Sequence, residues 1–253
     1  MINEGDIKGV IAKRWSARAR SYDFSPGHGI HSDLEKQAWL GILSNALDHE
    51  EKLKILDVGT GTGALALLLA EMNHDVSGID LSEQMLKRAR EKARTGRLKV
   101  EFKLGDAEAP PFEKESFDAV VSRHLLWTLP NPDKALRAWK QLLKPGGRII
   151  IIDGNFENVR TGIQELWRFL AMPLVLITEL RDPRMPKKDV DAHLPMRRRE
   201  RPAADIEMLK GLELQTDVAK VNLVHKYSLL EYLKYGYSQH SQHQFVVKGI
   251  KTA

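Results

Sequence analysis

Leu53-Lys54-Ile55-Leu56-Asp57-Val58-Gly59-Thr60-Gly61-Thr62-Gly63 runs into an apolar stretch from Ala64 to Met72, and Val76-Ser77-Gly78-Ile79-Asp80 follows. The first segment has the short apolar character of a buried strand, the second the length of a helix, and the third is again strand-like. Strand, glycine turn, helix, strand and terminal acid together describe a nucleotide-binding βαβ unit. Glycines at the bend let the backbone turn sharply and approach a ligand closely, because no Cβ intervenes. Asp80, at the tip of the second strand, is placed to accept hydrogen bonds from ribose hydroxyls.

Gly59, Gly61, Gly63 and Ala64 nearly satisfy a dinucleotide fingerprint. Asp57, two residues before the first glycine, argues against it, since a carboxylate there repels a pyrophosphate and attracts a ligand carrying an ammonium group. A third apolar run, Val100 to Leu104, leads to Gly105-Asp106-Ala107, and Leu143-Lys144-Pro145-Gly146-Gly147-Arg148 precedes a fifth. This series, with the Asp57 to Gly63 bend and Asp80, resembles the motifs of class I S-adenosylmethionine-dependent methyltransferases. Within them it is most similar to the small-molecule branch that includes quinone C-methyltransferases. The likeness covers residues 50–153 well and the flanks loosely.

The resemblance implies an α/β fold with a Rossmann-like, seven-stranded, mostly parallel sheet in the order 3-2-1-4-5-7-6, helices on both faces and a small helical cap between strands 5 and 6. It divides the chain into N-terminal helices closing over the site (1–48), a cofactor-binding core (49–153), a cap insertion (154–202) and the end of the core with a terminal antiparallel strand pair (203–253). It implies S-adenosyl-L-methionine as cofactor, held by Tyr22, Asp57, Gly59, Thr60, Gly61, Gly63, Asp80, Leu81, Met85, Asp106, Ala107 and Arg123. Tyr22 either closes over the methionine end or is a packing tyrosine. Met85 belongs to the core, to the adenine pocket, or to both. Asp106 either accepts from the adenine amino group or only caps its turn.

Composition sets outer limits. The 253 residues suffice for one large α/β domain with a small cap. With no cysteine, disulfides, thiolate metal sites and pyrimidine methylation through a cysteine nucleophile are all excluded. His28 with His31, and His240 with His243, are bare pairs without nearby carboxylates, so no metal is expected. The N-terminus has no apolar leader, and the longest apolar run, Phe169 to Ile177, is too short to span a bilayer. No integral membrane segment and a cytoplasmic location are therefore expected. Of the +5 net charge, residues 181–201 carry +4, eight bases against four acids, without interleaved aromatics. That segment reads as a solvated basic loop or a site for an acidic partner rather than a nucleic-acid surface.

Elsewhere the periodicity predicts a helix over 6–20 and another over Asp33 to Leu47 burying Leu34, Ala38, Trp39, Ile42, Leu43 and Ala46. Ser82 should cap the helix after strand two, and Asn131-Pro132-Asp133 the helix running to Leu143. Strand four, Phe117 to Val121, should deliver Ser122, Arg123 and His124 at its carboxyl end, where open α/β sheets bind ligands. Nucleic-acid amine methyltransferases carry an Asn-Pro-Pro-Tyr-like sequence at this point, so Ser122-Arg123-His124-Leu125 argues against a nucleic-acid substrate. Residues 161–179 are helical in spacing with a break at Pro173, and read as a substrate cover or, second, a peripheral-membrane patch. Leu212 to Val224 and Gln244 to Lys251 are expected as the terminal strand pair.

The cofactor's sulfonium already activates the methyl group, so a base is needed only for an acceptor that starts protonated. His124 is the candidate base; packing under Trp127 is its other reading. The acceptor is expected to be a small hydrophobic or aromatic molecule, and a homodimer is left open. A nicotinamide-dependent oxidoreductase and a catalytically silent cofactor-binding protein are the rival readings.

Overall fold

The structure, a computed structural model, describes residues 4–25, 27–48, 51–154, 162–179, 189–221, 229–235 and 244–252. Two helices, α1 (Glu4–Arg18) and α2 (Asp33–Leu47), precede the alternating unit β1 (Lys54–Val58), α3 (Ala64–Glu71), β2 (Asp75–Asp80), α4 (Glu83–Thr95) and β3 (Val100–Leu104). Then come β4 (Phe117–Arg123), α5 (Pro132–Leu142), β5 (Leu143–Gly154), α6 (Gly162–Glu179), α7 (Ala203–Gly211), β6 (Leu214–Val221), α8 (Leu229–Tyr235) and β7 (Gln244–Lys251). The seven strands form one sheet in the order β3-β2-β1-β4-β5-β7-β6, as the motif series implied. β1 to β5 pair in parallel, whereas β7 runs antiparallel to both β5 and β6.

Each face of the sheet is covered by one apolar layer. Leu56, Val58, Val120, Ile149 and Ile151 pack with Leu136 and Trp139 of α5 and Met208 and Leu209 of α7. Ile55, Ala119, Val121, Ile150 and Ile152 pack with Trp39 and Leu43 of α2 and Leu65 and Leu69 of α3. Strands buried on both faces must be apolar at successive positions, which is why Ile149 to Ile152 is an unbroken run. The carboxyl ends of β1, β2, β4 and β5 open to one edge of this sandwich.

Several boundaries differ from the sequence reading. Leu34 is 64% exposed and Ala38 is also exposed, because α2 turns the Trp39, Leu43 and Leu47 face inward. Ser82 does cap α4, accepting from the Met85 N–H at 3.2 Å. Asn131 does not cap α5 with its side chain; its backbone N–H and side-chain amide both donate to Glu108 instead. β5 begins at Leu143 rather than Arg148, with its pairing to β4 broken between Phe117 and Ala119 to accommodate Lys144-Pro145-Gly146-Gly147. Pro173 lies inside a single helix and does not split it. β6 begins at Leu214 rather than Leu212, with Val218 46% exposed on an edge strand, and α8 between β6 and β7 was not anticipated; residues 222–224 of the expected strand lie outside the described residues.

The basic segment is not simply a solvated loop in its described part. Residues Asp189–His193 and Pro195–Arg198 form short 3-10 turns. Val190 and Leu194 pack on Ile7 and Ile11 of α1. Arg201 is 4% exposed and bonded to acids on either side. Arg181, Arg184, Lys187 and Lys188 lie outside the described residues.

Candidate active site

At the carboxyl edge the chain leaves β1 through Gly59, Gly61 and Gly63, all with positive φ. Gly59 has φ +68, and a Cβ there would lie 2.6 Å from Leu125 Cδ1, so both backbone and space demand glycine. Gly63, the residue before α3, has φ +84 and packs against Ala89 and Phe102. The bend is held from below by Asp57, which accepts from the Thr60 hydroxyl at 2.6 Å and from the Ala66 N–H at 3.2 Å. Burial pushes the Asp57 carboxyl up to about 6, against the pull of those hydrogen bonds. Asp57, Thr60 and Gly63 thus brace the bend, and their side-chain positions lie behind the cleft wall rather than on it.

Asp80 ends β2 facing the bend. Its Oδ2 accepts from the Gly61 N–H at 3.0 Å and its Oδ1 from the Ser82 N–H at 2.8 Å. Burial raises this carboxyl to about 6 as well. A cleft opens between these elements. It gathers ten of the thirteen residues named from the sequence: Tyr22, Gly59, Gly61, Asp80, Leu81, Met85, Asp106, Ala107, Arg123 and His124. Met85 is 2% exposed and serves core and cleft wall at once. Asp106 caps its own turn, accepting from the Glu108 N–H at 2.9 Å, and also pairs with Lys8 at 2.8 Å.

One wall was invisible from the motifs. Lys8, Ile11 and Trp15 of α1 line the cleft, and Lys8 also reaches Glu108 at 2.7 Å. None of residues 189–202 lines the cleft; Val190 and Leu194 pack on Ile7 and Ile11 of α1, Met196 joins the core beside the sheet, and Arg197 lies over the Trp127 ring. Tyr22 sits edge-on to Trp15 and stacks on His28 with ring centroids 4.5 Å apart. Burial raises the Tyr22 hydroxyl to about 12, so it stays a neutral phenol. His28 joins the aromatic group, with its ring 5.7 Å from that of His124. Arg123 lies over the Trp39 ring and donates to the carbonyls of Gly27 and His28, while its Nη1 is buried without a hydrogen-bond partner.

His124 follows β4 with φ +55, a conformation unusual for a side chain bearing Cβ, fixed by its N–H donating to the Ile152 carbonyl at 3.0 Å. Its Nδ1 lies 3.3 Å from Oδ1 of Asp153, at the end of β5. Asp153 is fully buried, and its Oδ2 accepts from Arg201 at 2.7 Å. Burial alone would raise its carboxyl; the His124 hydrogen bond and the Arg201 charge outweigh it and hold the group below the usual carboxylate range.

Residues 56–151, less than half of the chain, match the profile of the methyltransferase domain. The matched span contains the bend, Asp80, Asp106, Arg123 and His124, and it upholds the resemblance read from the motif series. The methyltransferase domain also has named relatives. The chain is 34% identical over 156 residues to a ubiquinone biosynthesis O-methyltransferase of Idiomarina loihiensis, covering 60% of this chain and 62% of that one. It is 30% identical over 149 residues to a demethylmenaquinone methyltransferase of Renibacterium salmoninarum, covering 55% and 61%. In both cases the chain spans less than two thirds of the relative's length. Among solved structures, the [4+2]-cyclase SpnF aligns over 98% of this chain and 97% of its own with a TM-score of 0.63 at 18% identity. That likeness concerns the fold alone, which by itself does not fix a chemistry.

Proposed function

We propose that this protein transfers a methyl group from S-adenosylmethionine to a small hydrophobic or aromatic acceptor. The observation that carries this reading is the convergence of the glycine bend, Asp80 and Asp106 on one cleft inside a matched methyltransferase domain. The residues present fit the donor. The Asp80 carboxylate has about four acceptor positions and uses two of them on backbone N–H groups. The buried Arg123 Nη1 lacks an acceptor. Gly61 has φ +56 and lies beside the Tyr22 ring, which an added Cβ would meet at 3.7 Å.

When bound, S-adenosylmethionine supplies a methyl group already activated by its sulfonium. Asp80 would hold its ribose hydroxyls, Asp106 would accept from its adenine amino group, and Leu81 and Met85 would flank the base. Arg123 takes the donor's carboxylate through its unpaired Nη1. Trp15 and Tyr22 form an aromatic wall that excludes water and favours a flat acceptor. His124 removes the proton of an acceptor that arrives as a phenol or enol, so that electron density develops on the attacking atom. The two relatives named as quinone-pathway methyltransferases support an acceptor of this class. Cytoplasmic action on a free small molecule, without nucleic acid, is part of the same proposal.

The test is a screen of phenolic and enolic small molecules with methyl-labelled donor, run on wild-type protein and on His124→Ala. The expected result is label transfer to at least one acceptor, lowered by about a hundredfold or more in the variant. Absence of transfer together with absence of S-adenosylhomocysteine binding would overturn the assignment; undiminished turnover in His124→Ala would remove the base.

A further inference from the structure

Behind His124 runs a buried chain of charge that the methyl-transfer reading does not itself require. Asp153 Oδ1 faces His124 Nδ1 at 3.3 Å and also accepts from the Gly154 N–H at 2.9 Å. Its other oxygen takes Arg201 Nη1 at 2.7 Å. The Arg201 guanidinium turns its remaining edge to Asp205, through Nε at 2.5 Å and through Nη2. All three charged groups are at most 4% exposed, and they come from separate places: the end of β5, the residues before α7, and the first turn of α7. A planar fork between two carboxylates fixes both in orientation as well as in charge.

From this arrangement we propose that Asp153, oriented by Arg201 and Asp205, is a positioning residue that holds His124 with its proton on Nδ1. A carboxylate accepts only, so at 3.3 Å it favours the tautomer in which Nδ1 donates. Nε2 then carries the lone pair, as a base directed at an acceptor needs. The positive φ of His124 serves the same end, because it commits the backbone to one direction for the ring. Arg201 matters because a free carboxylate could rotate, whereas one clasped by a guanidinium and by Gly154 presents the same oxygen to the ring throughout. Two carboxylates and one guanidinium leave this cluster one negative charge, which an imidazolium formed during proton removal would balance.

The proposal rests on His124 being the base, and its test is independent of turnover. Nitrogen-15 NMR of histidine-labelled, full-length protein at about pH 8, well above the ordinary histidine range, reads the tautomer of each ring directly. His124→Gln assigns the signal. In wild type the expected pattern is a protonated, pyrrole-type Nδ1 and an unprotonated, pyridine-type Nε2 at His124. In Asp153→Asn, where the amide can donate as well as accept, the expected result is loss of that fixed pattern, while S-adenosylhomocysteine binding measured by calorimetry stays within about threefold of wild type. A wild-type ring protonated on Nε2, or on both nitrogens, would overturn the proposal. So would the same Nδ1–H pattern in the Asp153→Asn protein. Should Asp153→Asn not fold, the wild-type spectrum alone still decides. Failure of the methyl-transfer reading shows separately, as absence of S-adenosylhomocysteine binding to wild type, on which the tautomer does not depend.

Discussion

Replacing Asp80 by asparagine should separate ligand binding from folding. In the free protein both Asp80 oxygens are engaged by backbone donors, Gly61 at 3.0 Å and Ser82 at 2.8 Å, yet the carboxyl still rises to about 6. Burial therefore outweighs those two bonds in penalising the charged form. Each pKa unit is worth about 1.4 kcal/mol, so at pH 7 the ionised group costs the fold up to about 3 kcal/mol relative to a neutral isostere. The side faces the cleft and keeps some solvation, which makes that an upper figure. Asparagine removes the charge but must turn its NH2 toward one of the two N–H donors, losing a hydrogen bond at a cost of about 1–3 kcal/mol. These terms nearly cancel, and the ligand-free variant should melt within a few degrees of wild type at neutral pH. Binding has no such cancellation. A ribose diol offers two donors, a carboxylate accepts both with charge assistance, and an amide oxygen accepts at most one well. The expected loss is about 1.5–3 kcal/mol, or roughly tenfold to a hundredfold in Kd for S-adenosylhomocysteine. Calorimetric titration and a thermal melt on the same sample measure both sides. Unchanged affinity would refute the ribose assignment. A variant that melts far below wild type and binds poorly would show Asp80 to be a clasp for the glycine bend rather than a ligand group.

Two further outcomes follow from the same elements. Asp57 and Asp80 both have folded pKa values near 6, raised from 3.8, so their contribution to stability is fully present below the unfolded value and is lost as pH rises through about 6. Between pH 7 and pH 5 each should add about 1 kcal/mol, so the melting temperature of the ligand-free protein should climb by several degrees on acidification across that window, and a flat or falling profile would contradict the burial argument. Asp153, held below the usual range, loses its stabilising effect only at lower pH and does not cancel the trend. Gly59→Ala forces a Cβ to 2.6 Å from Leu125 at φ +68; displacement of that side chain and backbone strain should together cost about 2 kcal/mol or more and weaken S-adenosylhomocysteine binding, whereas wild-type behaviour in the melt and titration would mean the bend adapts.

What could be read in advance and what could not divides along a physical line. The βαβ unit announced itself because its determinants are local: glycines where φ must be positive, a cap at Ser82, an acid at a strand tip, and apolar runs whose length matches a buried parallel strand. Sheet order was expected from the family resemblance that the motif series carries, since the succession of elements alone does not fix their order in the sheet. Side chains misread from the sequence are mostly ones whose deciding partner is distant in sequence. Leu34 and Leu43 lie on opposite sides of α2, and the position of α3 and the sheet turns the Leu43 side inward. Asn131 had the composition of a cap, but Glu108, 23 residues away, offered its amide and backbone a better acceptor. The turn that carries His28 does not by itself reveal the Tyr22 and His124 rings it meets.

Arg201 makes the point most sharply. In the sequence it is one of eight bases in a polar stretch, and counting charges assigns it to solvent. Its burial becomes affordable only because Asp153, 48 residues earlier, and Asp205, one helical turn later, receive it together. The second partner is visible at i+4, but that spacing is just as common on exposed helices and carries no weight alone. The first is the final acid of an apolar strand, where a buried carboxylate without a cation would be costly. An acid at the end of a continuous apolar run therefore demands a partner, and the demand can be read from the sequence even though the identity of the partner cannot. Asp153, which ends such a run behind His124, is a carboxylate of this kind, and one of the bases that a charge count leaves in solvent must be its structural partner.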